Sequence, residues 1–386
     1  MSASHQNTSS RRVSGRLAQW TATGRACLLI LLGALLPANS SWADEVAFGT
    51  LVRADTDHTL VVTPRARIRA PFSGGRSHVD AAYAADIWSS ASIDVRTAAT
   101  SRVSEQRDEL DLGVDREFDD LTLRMSYRFS NEVDYQAQGV GLGAALDLAE
   151  GSATVSLDLR AGFDRIGRSG DTRLRERQRS LAARLSYEQA IDRDTLLQLV
   201  YEGTRVMGFQ SSPYRFIGIG GSCQTGAALC IPEQHPRLRM RHAFVARARR
   251  ALGDSASVGL DYRLYVDGWG MVGNTFGLRA AWLPNDKTTL TLRYRGHRQN
   301  AARFYQSTYE IADLDTQSFF TRDRELGALW SQRLAFDLER EFDVGSAGAP
   351  LLLSFALGAT YYSYDDFTGL DSVGSLDFTV SALWQM

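Results

Sequence analysis

Long hydrophobic runs are missing from this sequence of 386 residues, and its mean hydropathy is −0.23. Because a membrane helix needs about 20 apolar residues, the sequence excludes a bundle of membrane helices. Proline is scarce, with 8 residues, and the net charge is only −2. This composition argues against a disordered chain and against a nucleic-acid-binding protein. A soluble globular protein and a membrane β-barrel remain, since half of the strand positions in a barrel face water.

The N-terminal segment has the composition of a signal peptide. Arginines without any acidic residue precede the apolar run at residues 27–36, which suits a signal peptide and is too short to span a membrane. Small residues at Ser41 and Ala43 then define a cleavage site before Asp44. We therefore predict a signal peptide over residues 1–43 and a mature chain over residues 44–386. An uncleaved anchor helix is the alternative.

Apolar and polar residues alternate along most of the mature chain. Residues 121–130, 153–164, 256–267 and 376–386 place an apolar side chain at nearly every second position. Segments of about ten alternating residues, separated by turns, are the signature of a transmembrane β-barrel. The predicted strands number about sixteen, an even number as in bacterial barrels. They lie near residues 46–53, 58–71, 77–98, 105–118, 119–132, 135–149, 151–165, 176–190, 193–207, 236–251, 255–268, 272–284, 287–304, 323–341, 350–364 and 374–386.

We predict an all-β fold, a transmembrane antiparallel up-and-down β-barrel of about 16 strands, in the outer membrane of a Gram-negative cell. The alternative is a soluble β-sandwich, but the apolar faces of so many strands cannot all be buried in one soluble core. Longer links near 166–175, 208–235 and 305–322 alternate with short ones, as expected for loops and turns at opposite ends of a barrel. The predicted partners are outer-membrane lipid and the barrel-assembly machinery, without nucleic acid. The sequence leaves the oligomeric state open.

Charged residues occupy the polar faces of the predicted strands, and nearly all of the bases are arginine. A lumen lined by facing arginines and carboxylates narrows an aqueous path and favours a polar or ionic solute. The alternative is that these charges only pair with each other and stiffen the wall. The predicted lumen-lining residues are Arg237, Arg239, Arg241, Arg247, Arg249, Arg263, Arg279, Arg293, Arg295, Arg333, Asp111, Asp115, Asp158, Asp261 and Asp337.

Two cysteines, Cys223 and Cys230, remain in the predicted mature chain and lie in the same long loop. In an exported protein we expect them to form a disulfide. Their spacing fits metal binding poorly, and the histidines form no recognisable catalytic set with serine and aspartate. We therefore predict no enzymatic activity, no metal site and no cofactor.

Several short segments resemble one proteobacterial family, the one catalogued as domain of unknown function 3570. They are residues 91–100 (ASIDVRTAAT), 107–109 (RDE), Tyr135, 212–215 (SPYR), 237–249, 261–269 (DYRLYVDGW) and 294–305 (YRGHRQNAARFY), spread over nearly the whole mature chain. The resemblance implies an outer-membrane β-barrel and implies no activity, since the family has none assigned. Its members often occur beside genes for thioredoxin-like proteins and small lipoproteins, which suggests a redox-linked envelope system.

Two functions follow as hypotheses. The first is a channel or porin-like conduit for a small polar or ionic solute through the lumen lined by arginine and carboxylate. The second is a non-conducting barrel that serves as a scaffold for an envelope lipoprotein complex. Electrical conductance of the purified protein in a planar bilayer discriminates between the two.

Overall fold

A computed structural model describes residues 43–386 except 91–102, 222, 224–225 and 345–348. Sixteen long antiparallel strands close into one barrel, because the first strand pairs with the last. The predicted fold and strand number are confirmed. The barrel strands are β1 (Glu45–Asp55), β2 (Thr59–Phe72), β3 (Ser77–Ser90), β4 (Val103–Phe118), β5 (Leu121–Asn131), β6 (Tyr135–Leu148), β7 (Ala153–Arg168), β8 (Asp171–Asp192), β9 (Thr195–Gly208), β12 (Leu238–Ala251), β13 (Ala256–Asp267), β14 (Val272–Asn285), β15 (Thr288–Gln299), β16 (Leu329–Val344), β17 (Ala349–Tyr364) and β18 (Ser372–Gln385).

The outer wall of the barrel is apolar. Large side chains at the outward positions stay exposed, among them Leu142 at 61%, Leu357 at 55% and Leu376 at 61%. A soluble protein rarely exposes so much contiguous apolar surface, whereas lipid covers such a wall at no cost. The register places these leucines on one face and most of the charged residues on the other, which excludes the soluble sandwich.

The two ends of the barrel differ. One end, here called the turn end, carries short connections such as residues 73–76, 119–120 and 193–194, together with the start of β1 and the end of β18. The opposite end, the loop end, carries two long segments, residues 209–237 and 300–328. Short turns at one end and long loops at the other are typical of outer-membrane barrels.

Three predicted boundaries were wrong. The link near 166–175 is only a two-residue turn, because β7 continues to Arg168 and β8 begins at Asp171. The predicted strands 287–304 and 323–341 overlap a loop, since β15 ends at Gln299 and β16 begins at Leu329. The predicted end of the third strand at residue 98 stays a prediction, because β3 is described to Ser90 and residues 91–98 lie outside the described residues.

The signal-peptide prediction falls mostly outside the described residues. Residues 1–42 are not among them, and the description begins at Ala43, next to the predicted cleavage site. Asp44 accepts a backbone hydrogen bond at 3.0 Å from Met386, so the predicted mature start lies beside the last residue of the chain.

The two long loop segments pack together into one body, here called the cap (residues 209–237 and 300–328). The first contributes a short hairpin, β10 (Phe216–Ile219) and β11 (Leu229–Pro232), and the second a one-turn helix, α1 (Ile311–Thr316). Ile217, Ile219 and Tyr309 form a buried cluster between them. Within the described residues, no helix has the length and apolar character needed to cross a membrane.

The cap is attached to the rim of the barrel at several separate turns. A second buried cluster joins Phe304 and Leu326 of the cap to Trp269 and Met271 of the β13–β14 turn. Polar contacts reach further turns. They join Arg324 to Asp57 at 2.7 Å, Tyr214 to Asp134, Tyr305 to the carbonyl of Asp366, and Ser307 to Thr368 at 3.0 Å. The cap is therefore held in one position over the loop end.

Candidate functional site

The lumen contains a cavity of about 950 Å³ between the strands β8 to β18. Seven arginines and five carboxylates line it, so its surface carries net positive charge. A second cavity of about 590 Å³ lies beneath the cap, and Arg263 lines both. The charged residues of the larger cavity are Arg247, Arg249, Arg263, Arg279, Arg293, Arg295, Arg333, Glu188, Asp261, Asp337, Glu339 and Asp377.

Most of the predicted lumen arginines are held by carboxylates on nearby strands. Arg249 Nη1 lies 3.1 Å from Asp261 Oδ1, and Arg293 Nε donates to Asp337 Oδ2 at 2.8 Å. Part of the charge therefore stiffens the wall, which is the alternative that the sequence left open. The other pairs are Arg247–Asp261 at 3.5 Å, Arg333–Asp377 at 2.6 Å, Arg263–Glu202 at 3.8 Å and Arg237–Glu176 at 3.3 Å.

Arg279 and Arg295 differ from these arginines. Both line the larger cavity, and neither makes a hydrogen bond or an ion pair within the described part of the chain. The strand register places Arg279 directly opposite Arg293, and Arg295 directly opposite Arg333. Like charges at directly opposed positions destabilise a sheet. These two arginines therefore add positive charge to the cavity that no carboxylate among the described residues neutralises.

The cavity beneath the cap contains one structural arginine and one without a partner. Arg239 donates to the buried carboxylate of Asp267 at 2.6 Å, and its guanidinium lies 4.0 Å from the ring centre of Trp269. Arg241 makes no ion pair among the described residues, and its Nε is buried without a hydrogen-bond partner. Arg239 therefore fixes the β13–β14 turn to the wall, while Arg241 faces the cavity.

The predicted acidic residues on β4 and β7 also lie among arginines. Asp111 is 3.3 Å from Arg128, and Asp115 is 3.2 Å from Arg69. Asp158 lines a third cavity, of about 380 Å³, with five arginines and two further carboxylates. The structure thus spreads the predicted residues over several walls of the lumen. Their role in conduction stays a prediction.

Cys223 and Cys230 form the predicted disulfide, with 5.7 Å between their Cα atoms. Cys230 lies in β11, directly opposite Gly218 of β10. The disulfide therefore closes the end of the hairpin that the first loop segment contributes to the cap.

Among the residues that the structure describes, two groups of side chains have a composition that could suit a metal ion. His78, Asp115 and Glu117 are one group, and the ligand atoms within each group lie within 4.8 Å of one another. His78 is already engaged, since its Nδ1 lies 3.1 Å from Asp115 and its Nε2 3.4 Å from Asp44. Glu105, Glu132 and Asp134 form the second group, at the loop end. We assign a metal to neither group.

Glu233 is the buried charge at the centre of the cap. Its side chain is fully buried, and it lies 3.5 Å from Arg215 and 3.2 Å from His235. It also accepts hydrogen bonds from the Thr321 hydroxyl at 2.7 Å and from the Ser212 amide at 3.0 Å. Burial acts to raise the pKa of Glu233, but the contact with His235 and the charge of Arg215 outweigh it, so the pKa lies below its usual range.

Changing Glu233→Gln should loosen the cap, because removing one partner of a buried ion pair costs about 3 kcal/mol. A carboxyl whose pKa is lowered on folding stabilises the folded state above its unfolded pKa, and this contribution is lost as the pH falls through the folded pKa. We expect trypsin to cleave the cap at Arg322 faster in the variant at pH 7. Lowering the pH should make the cap of the wild type less stable and should change the stability of the variant's cap little.

The control for that experiment is Asp315→Asn, which removes an exposed carboxylate from the same loop. It should leave the cleavage rate at Arg322 unchanged. Equal cleavage rates in wild type and in Glu233→Gln would mean that Glu233 does not hold the cap.

Sequence reasoning missed the cap residues. Glu233 and Tyr309 are both almost fully buried, yet neither was singled out. The available signal was the concentration of aromatic residues in a segment without alternation, since residues 304–320 contain Phe304, Tyr305 and three further aromatic side chains. A loop with so many aromatics is expected to build its own core.

Part of the chain matches a known protein family. Residues 160–347 match a family described as "Protein of unknown function (DUF3570)", which confirms the sequence resemblance for that segment. Comparison with the curated proteins found no match.

Solved structures with a similar fold are outer-membrane proteins of low sequence identity. The chain resembles one described as "Bacterial polysaccharide outer membrane secretin", with 9% identity and a TM-score of 0.54, over 90% of this chain and 100% of that chain. It also matches the outer membrane protein OprD from Pseudomonas aeruginosa, with 9% identity and a TM-score of 0.44, over 90% and 94% of the two chains. The likeness to the secretin supports the fold of an outer-membrane barrel and nothing beyond the fold.

Proposed function

We infer that this chain, whose residues 160–347 match the DUF3570 family, is an outer-membrane conduit for small anionic solutes. The apolar outer wall and the unequal ends support a position in the outer membrane with the cap outside the cell. Export by an N-terminal signal peptide is part of this proposal. We continue to predict no enzymatic activity.

The observation that carries the proposal is the pair Arg279 and Arg295, which line the larger lumen cavity without partners among the described residues. Keeping guanidinium groups directly opposite other arginines is unfavourable by itself. The arrangement becomes favourable when an anion passes or binds, because Arg recognises carboxylate and phosphate through two parallel hydrogen bonds. Fixed positive charge along a narrow aqueous path also raises the local anion concentration.

The third cavity, in another part of the lumen, also has an excess of positive charge. The third cavity is lined by five arginines and three carboxylates, and Arg124 and Arg160 there have no polar partner among the described residues. Two of the three cavities thus favour anions. We propose that solutes small enough to enter beside the cap are selected by charge rather than by shape.

One observation favours a second candidate function. The cap is joined to turns around the rim and lies over the loop-end cavity, as expected for a barrel that does not conduct. In that case the protein would be a scaffold. Its proposed partner is an envelope lipoprotein of a redox-linked system.

Liposome swelling tests the proposed conduit. Proteoliposomes should swell faster in an anionic solute than in a zwitterionic or cationic solute of the same size, because the lining is net positive. Equal rates for all three would contradict charge selection. No swelling in any solute would favour the scaffold.

A further inference from the structure

The hairpin β7–β8 extends past the neighbouring strand β9 at the loop end. β8 begins at Asp171, whereas its pairing with β9 begins only at Gln178. Asp171, Glu176 and Arg177 pair with β7, and the segment 171–177 projects past the end of the β8–β9 ladder, where only the Arg177 carbonyl still accepts a hydrogen bond from the Phe209 amide. The outer face of this projection borders the membrane surface if the barrel spans a membrane as proposed above.

Five arginines lie on the outer face of this hairpin and of β9. The register places Arg179 opposite Phe163 and Arg205 opposite Leu181, and residues directly opposite each other share one face of the sheet. Phe163 is 53% exposed and Leu181 54%, as on the rest of the lipid-facing wall. The arginines therefore face outward at the edge of the apolar surface. They are Arg165, Arg175, Arg177, Arg179 and Arg205, here called the outer arginine patch, and all five are exposed.

The outer arginine patch has almost no partners within the described residues. Arg165 makes one hydrogen bond, to Gln136 at 3.5 Å, and the other four make neither a hydrogen bond nor an ion pair. Arg165 also lies directly opposite Arg177. On this half of β7, β8 and β9, the outward positions hold no carboxylate apart from Asp171 at the hairpin tip. This contrasts with the lumen, where most arginines are paired.

We propose that the outer arginine patch binds the phosphate groups of a lipid in the adjacent leaflet. Guanidinium groups pair with phosphate through two hydrogen bonds, and clusters of basic residues at a membrane surface bind anionic headgroups. A lipid matches the patch better than a free anion does, because Phe163, Leu181 and Met207 on the same face contact acyl chains while the arginines reach the headgroup. The proposal goes beyond conduction and rests on the proposed membrane position.

The test compares the wild type with the triple variant Arg175→Gln, Arg177→Gln and Arg179→Gln. The probes are lipid A with two phosphates, the same lipid with its phosphates removed, and inorganic phosphate, each added to purified protein and followed by native mass spectrometry. We expect the wild type to retain the phosphorylated lipid, and the triple variant to bind it at least about tenfold more weakly, since each basic residue near a headgroup contributes measurably.

Two control variants make the test specific. The matched set Arg116→Gln, Arg193→Gln and Arg250→Gln removes three exposed arginines at the turn end and should bind the phosphorylated lipid as the wild type does. The variant with Lys at positions 175, 177 and 179 keeps the charge and should retain most of the binding. Any loss common to both triple Gln sets would indicate a general charge effect and would overturn the proposal.

Three further outcomes would also overturn it. They are equal binding of the phosphorylated lipid by wild type and triple variant, equal binding of the dephosphorylated lipid, and tight binding of inorganic phosphate alone. The same triple variant should keep the wild-type current in a planar bilayer. A protein that binds the lipid without conducting would refute the conduit and leave the lipid site standing, so the two proposals fail separately.

Discussion

Changing Arg279 and Arg295 together to Glu should turn an anion-preferring conductance into a cation-preferring one. Neither guanidinium has a partner among the described residues, so the change breaks no ion pair and acts on the lumen charge alone. The lining of the larger cavity would change from seven arginines and five carboxylates to five arginines and seven carboxylates. We expect the anion-to-cation permeability ratio to fall by about tenfold, which corresponds to about 1.4 kcal/mol. The reversal potential in a salt gradient measures this ratio.

The matched control is Arg116→Glu with Arg250→Glu. Both arginines are exposed and share the outward face of their strands with lipid-facing residues, so the net charge of the protein changes equally while the lumen does not. This control should keep the wild-type reversal potential. If both double variants shifted the potential alike, the effect would come from overall charge rather than from the lumen.

Replacing residues 301–327 with a short Gly-Ser linker should raise the single-channel conductance several-fold. This segment is half of the cap, and its residues Asp323, Glu325 and Leu326 line the cavity beneath it. The linker can close the gap because Gln299 and Leu329 are direct partners in the register of β15 and β16. The strand ladder stays intact, and the change in loop length itself alters the closure entropy little.

The control for the removal of residues 301–327 is Asp315→Asn. It changes an exposed residue of the same segment and should leave the conductance unchanged. Glu233→Gln should give an intermediate result, with more frequent transitions between conductance levels, because it weakens the cap without removing it. An unchanged conductance after removal of residues 301–327 would mean that the cap does not restrict the path.

The barrel could be predicted from the sequence because lipid on one side of the wall and the lumen on the other make apolar and polar residues alternate with a period of two. Along β5, Leu123 and Met125 face outward while Arg124 faces the lumen. The alternation of apolar and charged residues in the sequence therefore identifies the two faces of the strand. The prediction of β15 extended past Gln299 into residues 300–304 (NAARF), where the alternation already breaks because two polar residues, Gln299 and Asn300, are followed by two alanines. Pattern alone does not record where a strand leaves the sheet.

The cap and the pairing of the arginines could not be predicted, because both depend on contacts between distant segments. Arg324 meets Asp57, which is 267 residues away along the chain. Arg279 and Arg293 look alike in the sequence, yet only Arg293 meets a carboxylate, Asp337, because the register of β15 and β16 brings the two together. Sequence reasoning therefore named the lining residues without separating the paired arginines from the unpaired ones.

The most direct test of the proposed conduit is the reversal potential of the wild-type protein in a planar bilayer under a tenfold gradient of KCl. The account predicts stepwise currents and a reversal potential displaced toward that of chloride, because unpaired arginines line the path. A reversal potential displaced toward that of potassium would contradict anion selection. No current, either from the wild type or from the variant without residues 301–327, would contradict the conduit itself.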